Sequence, residues 1–281
     1  MLDWNPLAPF GALVDADLSR PLAAADEAAL RQLLWDRQVL VFKGQALSHE
    51  RQAEIIDIFE PVPRTWEGMH FVSTEAEKGG LGRGELSFHS DCAFMAEPRI
   101  VLSLHALDVV AGESSTQWIS ARGGWESMPS GLQAQLRDAR ILQVMPAPEY
   151  LDRLSETPIP DWVPHHWHDA LIEHPRTGER LPYLMEMQTA RIEGLPPMES
   201  KALIEDALAI MYRPGAVFEH VWENGDFVIW DNIATQHARG ALFGKGKRIL
   251  QKVQAGGEAL SDWPAFHSPQ LQELLAAQSR K

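Results

Sequence analysis

The chain has 281 residues, 45% hydrophobic and 23% charged, with a formal net charge of −14. That is long enough to bury a sizeable core and too ordinary in composition for a disordered or fibrous chain, and the acidic balance argues against nucleic acid or an anionic membrane surface as a partner. A single Cys excludes an intramolecular disulfide and a Cys-based zinc site; with no visible signal peptide and no apolar run near the roughly 20 residues of a membrane helix, the expectation is a cytoplasmic protein.

The spacing of Ala29, Leu30, Leu33 and Leu34 predicts an amphipathic helix over 23–38, followed by a short buried strand, Val39-Leu40-Val41-Phe42. Ser48 is a candidate N-cap for a second helix to about Phe59, with Ile55, Ile56 and Phe59 inward, ended by Pro61 and Pro63. Residues 64–88, with Gly79, Gly80, Gly82 and Gly84, read as a long loop, either a solvated surface segment or an active-site lid. From residue 99 short strands alternate with turns: 100–107, 115–119, 140–145, 182–187, 216–222, 226–230 and 247–254. Helices are expected at 199–212 and near 269–278. No repeat or linker is visible. The expectation is one domain over 1–281: N-terminal helices at about 23–59, a β core at 89–255 of sandwich, barrel or jelly-roll type, and a helical tail.

The chemistry centres on Phe88-His89-Ser90-Asp91. In an extended segment, side chains two apart share a side, so His89 and Asp91 can reach one point. Alone, His-x-Asp is weak and also fits a surface turn. His237 is the best third ligand: two His and one carboxylate on one face are the donor set of non-haem Fe(II) oxygenases. Arg248 stands eleven residues on, past a turn containing Gly240, Gly244 and Gly246. A hairpin there would return its planar fork beside the metal, where it suits the far carboxylate of a chelating 2-oxo acid.

In the order and spacing of these residues the chain resembles the Fe(II)- and 2-oxoglutarate-dependent dioxygenases of the taurine/2,4-dichlorophenoxyacetate type, from about residue 10 to 255. Val41-Phe42-Lys43-Gly44-Gln45, His174-Pro175-Arg176-Thr177-Gly178 and Trp230-Asp231-Asn232 match secondary features. The resemblance implies a double-stranded β-helix, that is, a cupin-like jelly roll. It implies His89, Asp91 and His237 as metal ligands, Thr116 and Arg248 on the cosubstrate, and Fe(II), 2-oxoglutarate and O₂ as cofactors. The reaction implied is hydroxylation or oxidative cleavage of a small organic molecule, with succinate and CO₂ released. Asp91 argues against halogenation, which would need its coordination place.

The departures bear on substrate and cosubstrate. Phe88 replaces a frequent Trp, and Gly112-Glu113-Ser114-Ser115-Thr116 replaces Gly-Gly-Asp-Thr, leaving Ser114 and Ser115 as alternatives to Thr116. Lys252, Glu85, Phe88 and Gln188 fall at or near substrate positions and make taurine an improbable substrate. Lys252, four residues beyond Arg248 on the same strand face, is expected to favour an anionic group, unless it pairs with Glu85.

Other candidates have plainer readings. His165-His166-Trp167-His168 lies in a Pro-flanked stretch expected to be a loop without a carboxylate; His70, His105 and His220 read as structural, and Cys92 as a small buried thiol. Trp66, Trp118 and Trp167 are candidate pocket walls. Asp231 shares parity with His237, and the resemblance makes its role structural. A homodimer or homotetramer is compatible with the sequence. Two rival functions remain open here: a non-catalytic jelly-roll sensor of a metal or small acid, and a zinc hydrolase on the same ligands.

Overall fold

The computed structural model describes residues 2–63, 71–75, 84–240, 242 and 246–279. Among them are sixteen strands: β1 (Asp3–Pro6), β2 (Ala12–Asp15), β3 (Val39–Phe42), β4 (Phe71–Ser73), β5 (Leu86–His89), β6 (Val101–Val109), β7 (Ser115–Ser120), β8 (Arg140–Val144), β9 (His165–Asp169), β10 (Leu171–Glu173), β11 (Arg180–Pro182), β12 (Thr189–Ile192), β13 (Val217–Val221), β14 (Phe227–Asp231), β15 (Thr235–Arg239) and β16 (Arg248–Ala255). The helices are α1 (Ala24–Arg37), α2 (His49–Asp57), α3 (Ala121–Ser127), α4 (Ser130–Leu136), α5 (Pro148–Leu151), α6 (Pro197–Met211) and α7 (Pro269–Ser279). No helix among the described residues is long and apolar enough to cross a membrane.

Two sheets make the jelly roll. One runs β1-β2-β3-β14-β6-β16-β4, the other β13-β7-β15-β5. Between them lies a core of Val39, Val41, Leu102, Leu104, Trp118, Phe218, Val228, Trp230 and Leu250. Trp118 and Trp230 meet edge-on across it at 5.6 Å. The alternate residues of the same strands, Leu40, Phe42, Phe227, Ile229 and Val253, pack outward under α1 and α2. β3 and the first four residues of β14 are therefore apolar because both of their faces are covered.

The helices follow their sequence signals. Arg51 N–H donates to Ser48 Oγ (3.2 Å), the expected cap, and Ile55, Ile56 and Phe59 are buried. α6 buries Leu203, Ile204, Ala207, Leu208 and Met211 against the outer side of the four-stranded sheet, with Ile119 in the same cluster.

Three expectations change. The strand expected at 182–187 is not one: β11 ends at Pro182, which has no N–H to continue a ladder, and Tyr183, Leu184 and Met185 form a buried bend closed by Met185 N–H to Thr189 Oγ1 (2.7 Å). Burial, not pairing, explains that apolar run. The stretch 165–168 is not a loop but the body of β9, paired antiparallel with β8. In the expected loop 64–88, Phe71–Ser73 pairs with β16 and Leu86–His89 with β15; 64–70 and 76–83, with Trp66, His70, Gly79, Gly80 and Gly82, lie outside the described residues.

Candidate functional site

β15 and β5 bring the two histidines face to face. His237 is the cross-strand neighbour of His89, and their ring centroids lie 4.2 Å apart. His89 Nδ1 sits 2.8 Å from Ser87 O. A carbonyl only accepts, so Nδ1 carries the proton and Nε2 keeps its lone pair for a metal. His237 is held neutral by burial, reinforced by His89.

Asp91 is not in the extended segment itself but in the turn that follows β5. Asn232 grips that turn, its Oδ1 accepting from Asp91 N–H (3.0 Å) while its Nδ2 donates to Asp91 O (3.0 Å). Ser90, between the two ligands, donates from Oγ to Thr235 O (3.0 Å) and from N–H to Gln188 Oε1 (3.3 Å). So fixed, Asp91 Oδ1 lies 3.4 Å from His89 Nε2 and 3.7 Å from His237 Nε2. Ligand atoms about 2.1 Å from one ion at right angles would be about 3 Å apart, so the spacing fits a shared divalent metal. All three lie within 4.8 Å of one another, and among the described residues no other three His, Cys, Asp or Glu side chains do so. Burial alone would raise the Asp91 carboxyl, but the Lys252 ammonium holds it well below the usual range.

The cavity over these ligands is lined by Leu86, Leu102, Leu104, Thr116, Trp230, Arg239, Arg248 and Lys252, among others. Strand alternation puts the cations there. The bulge between β16 and β6 falls on β6, so β16 keeps its period and presents Arg248, Leu250 and Lys252 to one side. The bulge between β15 and β5 falls on β5, so His237 and Arg239 also share a side.

Arg248 is 3% exposed, and its Nε and Nη1 have no hydrogen-bond partner among the described residues. Its Nη2 lies 3.4 Å from Thr116 Oγ1, which also accepts from Trp222 Nε1 (3.0 Å). Both acceptor positions of that hydroxyl are thus engaged, and its proton is left to donate. Burial, reinforced by Arg239, pulls the Arg248 guanidinium down to about 9, which still leaves it charged at neutral pH. A buried cation with idle donors beside an available hydroxyl is a place for a carboxylate. Ser115 Oγ instead donates to Glu219 (2.5 Å), and neither Ser114 nor Ser115 lines the cavity.

The residues read as substrate contacts divide. Lys252 reaches the site, where its Nζ donates to Asp91 Oδ2 and not to Glu85. Glu85 is exposed at the entry to β5. Phe88 faces outward, stacked on Tyr212 at 4.6 Å, and Gln188 is buried beneath Ser90; neither lines the cavity. Arg239 does, donating from its guanidinium to Gly84 O. Sequence reasoning passed over it, although its place two residues after His237 on one strand carries the signal.

The remaining candidates are structural. Asp231 Oδ1 accepts from Ile233 N–H (3.0 Å) and Ala234 N–H (2.9 Å), shaping the turn before His237, with His174 Nε2 3.0 Å from Oδ2. His105 meets Gln45 O and His220 meets Asp226. Cys92, half-buried, takes a left-handed turn conformation (φ 59°), and burial pushes its thiol up to about 11. Trp118 is core, and Trp167 carries Arg140 on its ring.

Comparison with known proteins agrees with this geometry. Residues 3–254 match the family described as "Taurine catabolism dioxygenase TauD, TfdA family". Pentalenolactone F synthase of Streptomyces arenae is 26% identical over 88% of this chain and 92% of its own. The alpha-ketoglutarate-dependent 2,4-dichlorophenoxyacetate dioxygenase of Cupriavidus pinatubonensis is 24% identical over 83% and 90%. A crystal structure of a taurine dioxygenase from Burkholderia xenovorans superposes with a TM-score of 0.77 at 24% identity, over 92% of this chain and 91% of that one. The chain belongs to the TauD/TfdA family and is, with it, an Fe(II)- and 2-oxoglutarate-dependent dioxygenase of jelly-roll fold.

Proposed function

We propose that this dioxygenase holds Fe(II) on His89, Asp91 and His237, seats the far carboxylate of 2-oxoglutarate on Arg248 and Thr116, and oxidises a small organic acid. One observation carries the cosubstrate assignment: Arg248, buried with Nε and Nη1 idle, lies beside the available Thr116 proton in the cavity that holds the triad. A metal sensor or a zinc hydrolase would have no use for that pair, and a small-acid sensor would release no succinate. The bound iron, with 2-oxoglutarate and O₂, supplies the oxidising power, and the cosubstrate leaves as succinate and CO₂.

The chain's own residues do the rest. His89 presents Nε2 because Ser87 O holds the other proton. Asn232, Ser90 and Gln188 fix the ligand-bearing turn. Leu102, Leu104 and Trp230 keep that wall of the cavity apolar and exclude water.

Charge supports an anionic substrate. Among the described residues that line the cavity, Arg239, Arg248 and Lys252 stand against one carboxylate, that of Asp91. With Arg248 committed to 2-oxoglutarate and one Lys252 N–H given to Asp91, the remaining Lys252 N–H groups face an incoming anion. The relative named for 2,4-dichlorophenoxyacetate supports a carboxylate-bearing scaffold. The single Cys supports a reducing, cytoplasmic setting.

The test is succinate release across matched pairs of small acids and their methyl esters. Acids that drive succinate formation while their esters do not are the expected result. Esters that serve equally well would remove the anion requirement and leave the dioxygenase assignment standing.

A further inference from the structure

Asp91 presents its two oxygens to different neighbours. Oδ1 faces both imidazoles, 3.4 Å from His89 Nε2 and 3.7 Å from His237 Nε2. Oδ2 is turned away from them and accepts from Lys252 Nζ. A carboxylate can bind a divalent ion through one oxygen or through both, so a partner that holds one oxygen selects between the two modes.

Lys252 is well placed to impose the division. It lies on β16, in the seven-stranded sheet, whereas Asp91 follows β5 of the facing sheet. The contact therefore bridges the two layers across the cavity. Both side chains are largely shielded, at 15% and 16% exposure. In such a setting an ammonium without an anion, or a carboxylate without a cation, is costly. The backbone of Asp91 is clamped independently by Asn232, so Lys252 is not needed to keep the turn in place. What remains for it is the rotation of the carboxylate about its last bond.

We infer that Lys252 fixes the coordination mode of Asp91: by occupying Oδ2 it leaves Oδ1 as the one oxygen offered to the metal and keeps a second coordination position from being taken by the same carboxylate. Lys252 is thus a positioning residue for the metal centre. This inference rests on the assignment of His89, Asp91 and His237 as the metal ligands. The ammonium has three N–H groups, so one given to Asp91 leaves two for the substrate side of the cavity. The same side chain then links the ligand to whatever anion enters.

Co(II) is the probe, because the intensity of its visible bands falls as coordination number rises. Anaerobic titrations would compare wild type, Lys252→Met, Lys252→Arg and His237→Ala, recording the Co(II) spectrum, the Co(II) dissociation constant and the 2-oxoglutarate dissociation constant of the Co(II) protein. Lys252→Met is expected to bind Co(II), to show visible bands changed in position or intensity as Asp91 turns bidentate and alters the ligand set, and to bind 2-oxoglutarate about tenfold more weakly or worse, in the range of effects of residues that orient metal ligands. Lys252→Arg, which keeps a cationic donor, is expected to retain the wild-type spectrum. A Lys252→Met protein with the wild-type spectrum and wild-type 2-oxoglutarate affinity would overturn the inference. So would one that no longer binds Co(II), because Lys252 would then be needed for the ligand itself and not for its mode. If wild type and His237→Ala bind Co(II) alike, the metal assignment fails and takes this inference with it; if only the Lys252→Met result disagrees, the metal assignment stands.

Discussion

Among the described residues two pairs of histidine rings come together, with opposite outcomes. In the cavity, the rings of His89 and His237 are 4.2 Å apart; on the outer three-stranded sheet, those of His166 and His168 are 4.6 Å apart. Ring proximity therefore distinguishes nothing. At the cavity a carboxylate oxygen lies within 3.7 Å of both Nε2 atoms, and the one ring hydrogen bond of His89 is made by Nδ1, which leaves Nε2 for a metal. On β9, His168 spends Nε2 on Met95 O (2.9 Å), and among the described residues no carboxylate completes a set with His166 and His168. Burial, with His166 next, depresses His168 to about 4, so it is a neutral core residue at physiological pH. A metal site needs lone pairs that converge on one point, which the closeness of two imidazole rings does not supply by itself.

Substitutions can break this contrast. The largest effect is expected from His89→Ala, Asp91→Ala or His237→Ala, each removing one of three protein ligands: succinate formation should fall below detection and Fe(II) binding should weaken, measured by turnover and by metal titration. Full activity in any of them would remove that residue from the site. Next is Arg248→Ala. Losing a charge-assisted contact to a buried carboxylate costs about 2–5 kcal/mol, which corresponds to a rise of at least about thirtyfold in the KM for 2-oxoglutarate. Iron affinity should change little, and an unchanged KM would refute the assignment. Asn232→Ala, which frees the turn carrying Asp91 without touching a ligand atom, should weaken metal binding by about 10- to 100-fold.

The smallest effect on turnover, and the sharpest contrast, belongs to the other cluster. His168→Gln should leave activity near pH 7.5 within about twofold of wild type, because it meets neither metal nor cosubstrate. Its effect is on acid stability. The folded value near 4 lies below the ordinary 6.5, so the unfolded chain takes up the proton first. Stability is intact above about pH 6.5 and is lost as pH falls from there toward 4, by about 3 kcal/mol in all. Thermal melts at pH 7.5 and 4.5 should show a smaller acid-induced drop in the variant than in wild type; an equal drop would place the sensitivity elsewhere.

The same contrast explains what was legible in the sequence. Strands that fill the core with apolar side chains, Val39–Phe42, Val101–Val109 and Phe227–Asp231, stand out by composition, as do the helices with apolar stripes. Thr235–Arg239 does not, because its inward positions are given to His237 and Arg239 instead of to core residues, and His165–Asp169 hides for a similar reason. Chemistry on a strand erases the hydrophobic period that would reveal the strand. The convergence of His89, Asp91, His237, Arg248 and Thr116 on one cavity was readable because motif order and spacing substitute for that period. The second tier was not: Asn232 acts through its amide on the backbone of Asp91, and Gln188 acts on Ser90 across 98 residues of chain. Such contacts leave no spacing to detect. Lys252 was correctly expected to point inward, but its contact with Asp91 crosses between sheets and emerges only from their packing.

The claim that the triad and Arg248 form one centre for metal and cosubstrate is tested most directly by anaerobic visible spectroscopy. Fe(II) and 2-oxoglutarate would be added in turn to wild type, His237→Ala and Arg248→Ala. The account predicts a weak charge-transfer band in wild type that appears only when both are present. It should be absent in His237→Ala and need far more 2-oxoglutarate in Arg248→Ala. A band of wild-type strength in His237→Ala, at the same 2-oxoglutarate concentration, would contradict it.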